Sequence, residues 1–183
     1  MRVGLIGQKW VGAEVFTGLP SACEIAFVAA PDARDRLAVT AARSGHEVFM
    51  YSGRGLCDLP RDSRCDLLIS VGSFEFVPRP IRDAASWSIG YHPSLLPLYR
   101  GPRAVEEAIA AGESVTGGTV YHLTDDFDAG SVVFQDWCFV RKGETSADLW
   151  RRALAPMGVD LILRAVDHLH AYGFLPAEEQ AVA

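Results

Sequence analysis

A chain of 183 residues, 49% of them hydrophobic and 22% charged, has the apolar content for one good core and too little length for two ordinary domains. Its formal net charge is −6 and its arginines are scattered through Arg34, Arg61, Arg79, Arg103 and Arg151, so no electrostatic footprint for a phosphate polyanion is present and a nucleic-acid partner is not expected. No apolar run reaches the roughly 18 residues of a membrane helix, and Cys23, Cys57, Cys65 and Cys138 show neither C-x-x-C spacing nor a secretory leader ahead of them, so reduced thiols in a soluble cytoplasmic protein are expected.

In chain order, Val3 to Ile6 reads as a buried strand ending at Gly7, and Val11 to Leu19 as a helix. A strand at Ile25 to Ala29, a helix at Asp32 to Arg43 and a short strand at Glu47 to Tyr51 continue the alternation that builds a parallel sheet. Ser52 to Arg64 reads as a polar loop with room for a short helix, and Asp66 to Val71 as a buried strand around the apolar run Leu67-Leu68-Ile69. A short helix around Pro80 to Ala85 and a strand at Ser88 to Tyr91 follow, and Pro93 and Pro97 place a surface loop where that strand ends. Pro102 can open a helix through Ala110, and two β-rich runs, Gly118 to Leu123 and Ser131 to Val140, flank an acidic loop. Thr145-Ser146-Ala147-Asp148 resembles a capping box at the start of a long amphipathic helix toward Tyr172, with Pro156 set to bend or interrupt it. Residues 176–183 have the composition of a flexible tail.

The first glycine turn, Gly4 through Gly12, lacks the G-x-G-x-x-G spacing that brings backbone amides to a pyrophosphate, so it reads as a tight packing turn and no NAD site is expected. The run Ile89-Gly90-Tyr91-His92-Pro93 places one histidine at a strand's carboxyl end, the edge where open α/β sheets bind ligands. Farther on, Asp125, Asp126 and Asp128 crowd a short loop before Gly130, without the oxygen spacing of a calcium loop, and no metal is expected. If that loop folds over the strand carrying His92, a carboxylate meets an imidazole, and such a pair can stabilise an oxyanion and shuttle protons in acyl transfer.

The runs His92-Pro93-Ser94-Leu95-Leu96-Pro97 with Tyr99-Arg100-Gly101, and Asp126-Phe127-Asp128-Ala129-Gly130, closely resemble the two signature segments of the 10-formyltetrahydrofolate-dependent formyltransferase superfamily. That superfamily includes glycinamide ribonucleotide formyltransferase and the hydrolase domain of 10-formyltetrahydrofolate dehydrogenase. The resemblance implies one catalytic domain over 1–175 with the formyltransferase fold, a Rossmann-like, mostly parallel sheet flanked by helices with an antiparallel hairpin near the C-terminal end. It implies 10-formyltetrahydrofolate as co-substrate, His92 and Asp128 as the catalytic pair, and a pterin pocket lined by Phe76, Val77, Leu123, Thr124, Asp125 and Asp126. The usual asparagine two residues before the histidine is Gly90 here, so an amide that would donate to the formyl oxygen is missing.

Three functions follow from the resemblance. The first is formyl transfer to an amine on a small molecule. The second is hydrolysis to formate, favoured by Gly90 and the Tyr91-His92-Pro93-Ser94 run, which is similar to the hydrolase domain. The third is a folate-binding domain without catalysis, against which the retention of both His92 and Asp128 argues. A transfer-RNA substrate is disfavoured because no basic extra domain is present.

Overall fold

The computed structural model describes residues 1–51, 55, 56, 59, 64–73 and 75–181. Most of the loop expected at Ser52 to Arg64, Cys57 with it, lies outside the described residues. The chain divides into two compact units, Met1–Gly90 and Tyr91–Ala183.

The first unit is built on β1 (Arg2–Gly7), β2 (Glu24–Ala30), β3 (Val48–Met50), β4 (Cys65–Val71) and the first six residues of β5 (Ala85–His92). All are parallel, in the order β3-β2-β1-β4-β5, with Leu5 level with Val28 on one side and Ile69 on the other. Val3, Leu5, Ile6, Val28 and Leu67 through Ile69 are fully buried. Strands covered on both faces need apolar side chains pointing both ways, which is why these segments read as unbroken apolar runs. Three helices, α1 (Lys9–Gly18), α2 (Arg36–Arg43) and α3 (Arg79–Arg82), fill the connections.

Helix α2 starts four residues later than the sequence suggests, because Asp35 serves as its cap. The Asp35 carboxylate accepts from Leu37 N at 2.8 Å and also from Lys9 N, at 3.0 and 2.9 Å to its two oxygens. One side chain therefore ends the loop, opens α2 and satisfies the amide at the start of α1, a residue held at φ +59°.

The second unit holds the end of β5, helix α4 (Ala104–Ala110), an antiparallel pair β6 (Val115–His122) and β7 (Val132–Phe139), and a closing helical stretch. That stretch runs from α5 (Ser146–Leu149) through a π-helical turn, Trp150–Leu154, into α6 (Ala155–Tyr172). The wide turn ends two residues before Pro156, whose ring nitrogen cannot donate to the preceding turn, so the expected interruption is a local widening rather than a break. Thr145 caps α5 as the motif predicts, its Oγ1 accepting from Asp148 N at 3.2 Å.

Leu154 of the π-helical turn and Leu161, Ile162, Ala165 and Val166 of α6 are fully buried. The Tyr91 ring inserts into the unit's core, and its hydroxyl donates to Leu154 O at 2.6 Å. A Cβ on Gly118 would lie 2.6 Å from the Tyr91 Cε2, and one on Gly158 only 2.5 Å from Cε1, so the ring occupies the space of two absent side chains. Together the units carry the expected architecture: an α/β chain, parallel through its first part, with an antiparallel hairpin toward its end and helices around the strands.

Candidate active site

His92 is the last residue of β5 and is 5% exposed; Asp128 lies in the loop between β6 and β7 and is 8% exposed. Both belong to the second unit. The loop brings Asp128 back to the strand end, and its Oδ2 stands 3.4 Å from His92 Nδ1. The juxtaposition that the sequence left conditional is present.

Three further groups fix this pair. His92 Nε2 is 2.7 Å from Tyr99 O; a carbonyl only accepts, so Nε2 carries a proton here and Nδ1 is the nitrogen that faces the Asp128 carboxylate. Tyr99 is held in turn by its hydroxyl, which donates to Glu113 Oε1 at 2.6 Å. Asp128 accepts from Gly101 N at 2.8 Å on Oδ2 and from the Tyr121 hydroxyl at 2.8 Å on Oδ1. Burial pushes the Tyr121 hydroxyl far above its ordinary value, and the Asp128 charge adds to the shift, so the phenol stays a donor.

The local chain explains why these groups converge. Between Val120 and Tyr121 the β6–β7 register shifts, and such an irregularity re-aims the side chain beside it, here Tyr121 toward Asp128. Asp128 itself has φ +54°, and so has access to a loop path that few non-glycine residues take. The 93–101 loop is pinned to the hairpin through Thr119, whose Oγ1 donates to Ser94 O at 2.6 Å and accepts from Leu96 N at 3.1 Å, while Gln135 Nε2 donates to Leu96 O at 2.9 Å. Ser94 is fully buried and its hydroxyl donates to Leu98 O.

Of the three loop carboxylates, only Asp128 turns inward; Asp125 and Asp126 are exposed. Leu123 and Thr124 are half-buried at the exit of β6, with Thr124 Oγ1 donating to Asp126 O at 3.0 Å. Phe76 and Val77 follow β4 in the first unit, Val77 buried and Phe76 exposed beneath the Arg82 guanidinium at 5.8 Å. Gly90 is buried in β5, in register with Ser70 of β4. Among the described residues no cluster of His, Cys, Asp and Glu has the make-up of a metal site.

Sequence reasoning missed Tyr99 O, Gly101 N and Tyr121 as members of the site. The first two are backbone groups, invisible as residue types. Tyr121 had a signal, since a tyrosine in a buried strand needs a partner for its hydroxyl.

Residues 54–166 match the formyl transferase family. Among curated proteins, the mitochondrial 10-formyltetrahydrofolate dehydrogenase of Mus musculus is 30% identical over 98% of this chain, which covers 21% of it. The chain spans about a fifth of the length of the dehydrogenases it matches. Among solved structures, glycinamide ribonucleotide transformylase 1 from Symbiobacterium toebii has a TM-score of 0.82 at 22% identity, covering 100% of this chain and 94% of that one. HypX from Aquifex aeolicus, in complex with tetrahydrofolic acid, has a TM-score of 0.67 at 19% identity, covering 99% and 28%. These structural likenesses establish the fold.

Proposed function

The chain belongs to the formyl transferase family, and from that premise we propose that it is an enzyme that passes the formyl group of 10-formyltetrahydrofolate to an amine on a small molecule. The observation that carries this reading is the buried His92–Asp128 pair, with the far side of the imidazole fixed to Tyr99 O. The amine nitrogen attacks the formyl carbon, and the carbonyl electron pair moves onto oxygen. His92, protonated at Nδ1, donates to that oxyanion, and Asp128 takes the proton the amine loses. Collapse re-forms the carbonyl and breaks the bond to the folate nitrogen, which leaves with the proton relayed from Asp128. The folate contacts proposed with this reading are Phe76, Val77, Leu123 and the Thr124, Asp125 and Asp126 backbone.

Hydrolysis is the second reading, favoured by Gly90, which offers no side-chain donor two residues before His92. Water then replaces the amine and formate is the product. One assay separates the two: 10-formyltetrahydrofolate is incubated with the protein, with and without candidate amines, while tetrahydrofolate, formate and formylated amine are followed. Transfer predicts product only with an amine, and formate released at the same rate without one sinks it. His92→Ala and Asp128→Ala are each expected to lower kcat by roughly 10²- to 10⁴-fold, with folate binding largely retained. Near-normal turnover in either variant removes the pair from the chemistry.

A further inference from the structure

Pro176 through Gln180, the segment after α6, makes side-chain or backbone bonds at four of its five residues, and every partner lies on the Asp128 loop, its immediate flanks or the loop after His92. His122 Nε2 donates to Pro176 O at 2.8 Å. Val132 and Glu178 exchange a pair of backbone bonds, 2.7 and 2.9 Å, as an isolated antiparallel bridge. The Ser131 hydroxyl donates to Glu179 Oε1 at 3.0 Å. Buried Leu175 anchors the segment just before these contacts begin.

Gln180 is the convergence point. Its Nε2 donates to Asp128 O at 2.9 Å and to Gly130 O at 2.8 Å, which uses both amide hydrogens. Its Oε1 accepts from Arg100, at 3.2 Å from Nε and 2.6 Å from Nη2. Arg100 lies between Tyr99, whose carbonyl holds His92, and Gly101, whose amide holds Asp128. One primary amide therefore ties the loop that follows His92 to the loop that carries Asp128. The orientation is chemically determined, because two carbonyls accept only from the NH₂ end and a guanidinium donates only to the oxygen.

We propose that the 176–180 segment is a strap that sets the His92–Asp128 geometry, with Gln180 as a positioning residue that acts through the Asp128 backbone and Arg100. This rests on the catalytic reading of the pair given above. Asp128 needs such a restraint: its backbone occupies the left-handed region at φ +54°, where a non-glycine residue stays only if its surroundings hold it. The Tyr121 and Gly101 donors fix the carboxylate, and Gln180 fixes the peptide behind it. Small displacements of a reacting group lose rate without losing substrate affinity, so the strap's effect falls on kcat.

The test uses Gln180→Ala and Gln180→Glu in the full chain. The Gly101 amide reports the geometry independently of turnover, since it donates to Asp128 Oδ2. Gln180→Ala is expected to lower kcat roughly tenfold with KM for 10-formyltetrahydrofolate within about twofold, and to speed exchange of the Gly101 amide roughly tenfold. Amides of β1 and β4 are expected to exchange as in the unmodified protein. Gln180→Glu, which sets carboxylate oxygens against two carbonyls, is expected to be the more impaired variant. The strap is overturned if the Gly101 amide stays as protected in Gln180→Ala as before, or if protection falls equally throughout the chain. A protein that turns over no 10-formyltetrahydrofolate defeats the catalytic reading instead, and the Gly101 amide then decides the strap alone.

Discussion

Asp128 combines an unusual backbone with a buried charge, and each depends on groups far away in sequence. Its carboxylate keeps two donors, Gly101 N and the Tyr121 hydroxyl, and both are neutral. Hydrogen bonds to a charged acceptor contribute more than those between neutral groups. Tyr121→Phe keeps the ring and removes one donor, so it is expected to cost about 1–2 kcal/mol in urea unfolding and to lower kcat, with Tyr121→Ala no milder. Full stability and full turnover in Tyr121→Phe would dismiss the hydroxyl as a support of Asp128. At this scale His92 and Asp128 could be singled out because the runs that hold them resemble the two signature segments of a known family, a signal that composition and periodicity do not carry. Tyr121 signalled only that its hydroxyl needs a partner, without pointing to Asp128, and a glutamine beyond a helix, as Gln180 is, looks ordinary until its partners are seen.

Between β7 and the closing helices, a single ion pair joins a turn to the π-helical segment. Arg152 grips Glu144 through two bonds, Nε to Oε1 at 2.6 Å and Nη2 to Oε2 at 2.7 Å, and also donates to Phe139 O at 2.8 Å. The Arg152 guanidinium beside Glu144 holds its carboxyl at about 2, well under its ordinary 4.5. A carboxyl lowered by folding stabilises the native state fully above its unfolded value, and that contribution is lost as pH falls through the folded value. Urea midpoints of the unmodified protein should therefore fall between about pH 4.5 and 2 more steeply than those of Glu144→Gln. Parallel pH profiles for the two would mean that the pair is without consequence for stability.

Element existence was readable throughout this part of the chain, because strand and helix periods differ and Pro156 and the Thr145 cap are local signals. Element ends were less so. Helix α2 begins at Arg36 rather than Asp32 because Asp35 is recruited by Lys9 N, a contact 26 residues apart. Strand β5 extends through His92, beyond the expected Tyr91, so the histidine is part of the strand rather than of the proline loop after it.

For the molecule as a whole, the parallel order of the first unit could be anticipated from alternating strands and helices, while the strand order could not, since pairing depends on contacts that periodicity does not encode. The same holds for the core of the second unit, where Tyr91 lies against Gly118 of β6 and Gly158 of α6. In an exposed helix, glycine to alanine is a gain of roughly 1 kcal/mol. Here Gly158→Ala forces a methyl into an aromatic ring, and a loss of about 1–3 kcal/mol is expected. Repeating the substitution in a Tyr91→Leu background should remove most of that loss, and an additive pair would show that the ring and the glycine are independent.

The arrangement also constrains how this sequence can drift over generations. Tyr91, Gly118 and Gly158 share one volume, so a lineage cannot enlarge either glycine while the tyrosine remains, and a lineage that shrinks the tyrosine leaves a void that selection can fill from β6 or from α6. Three positions spread over 68 residues of chain should therefore change as a linked set among the descendants of a common ancestor, with the residue beside His92 as the member that must move first.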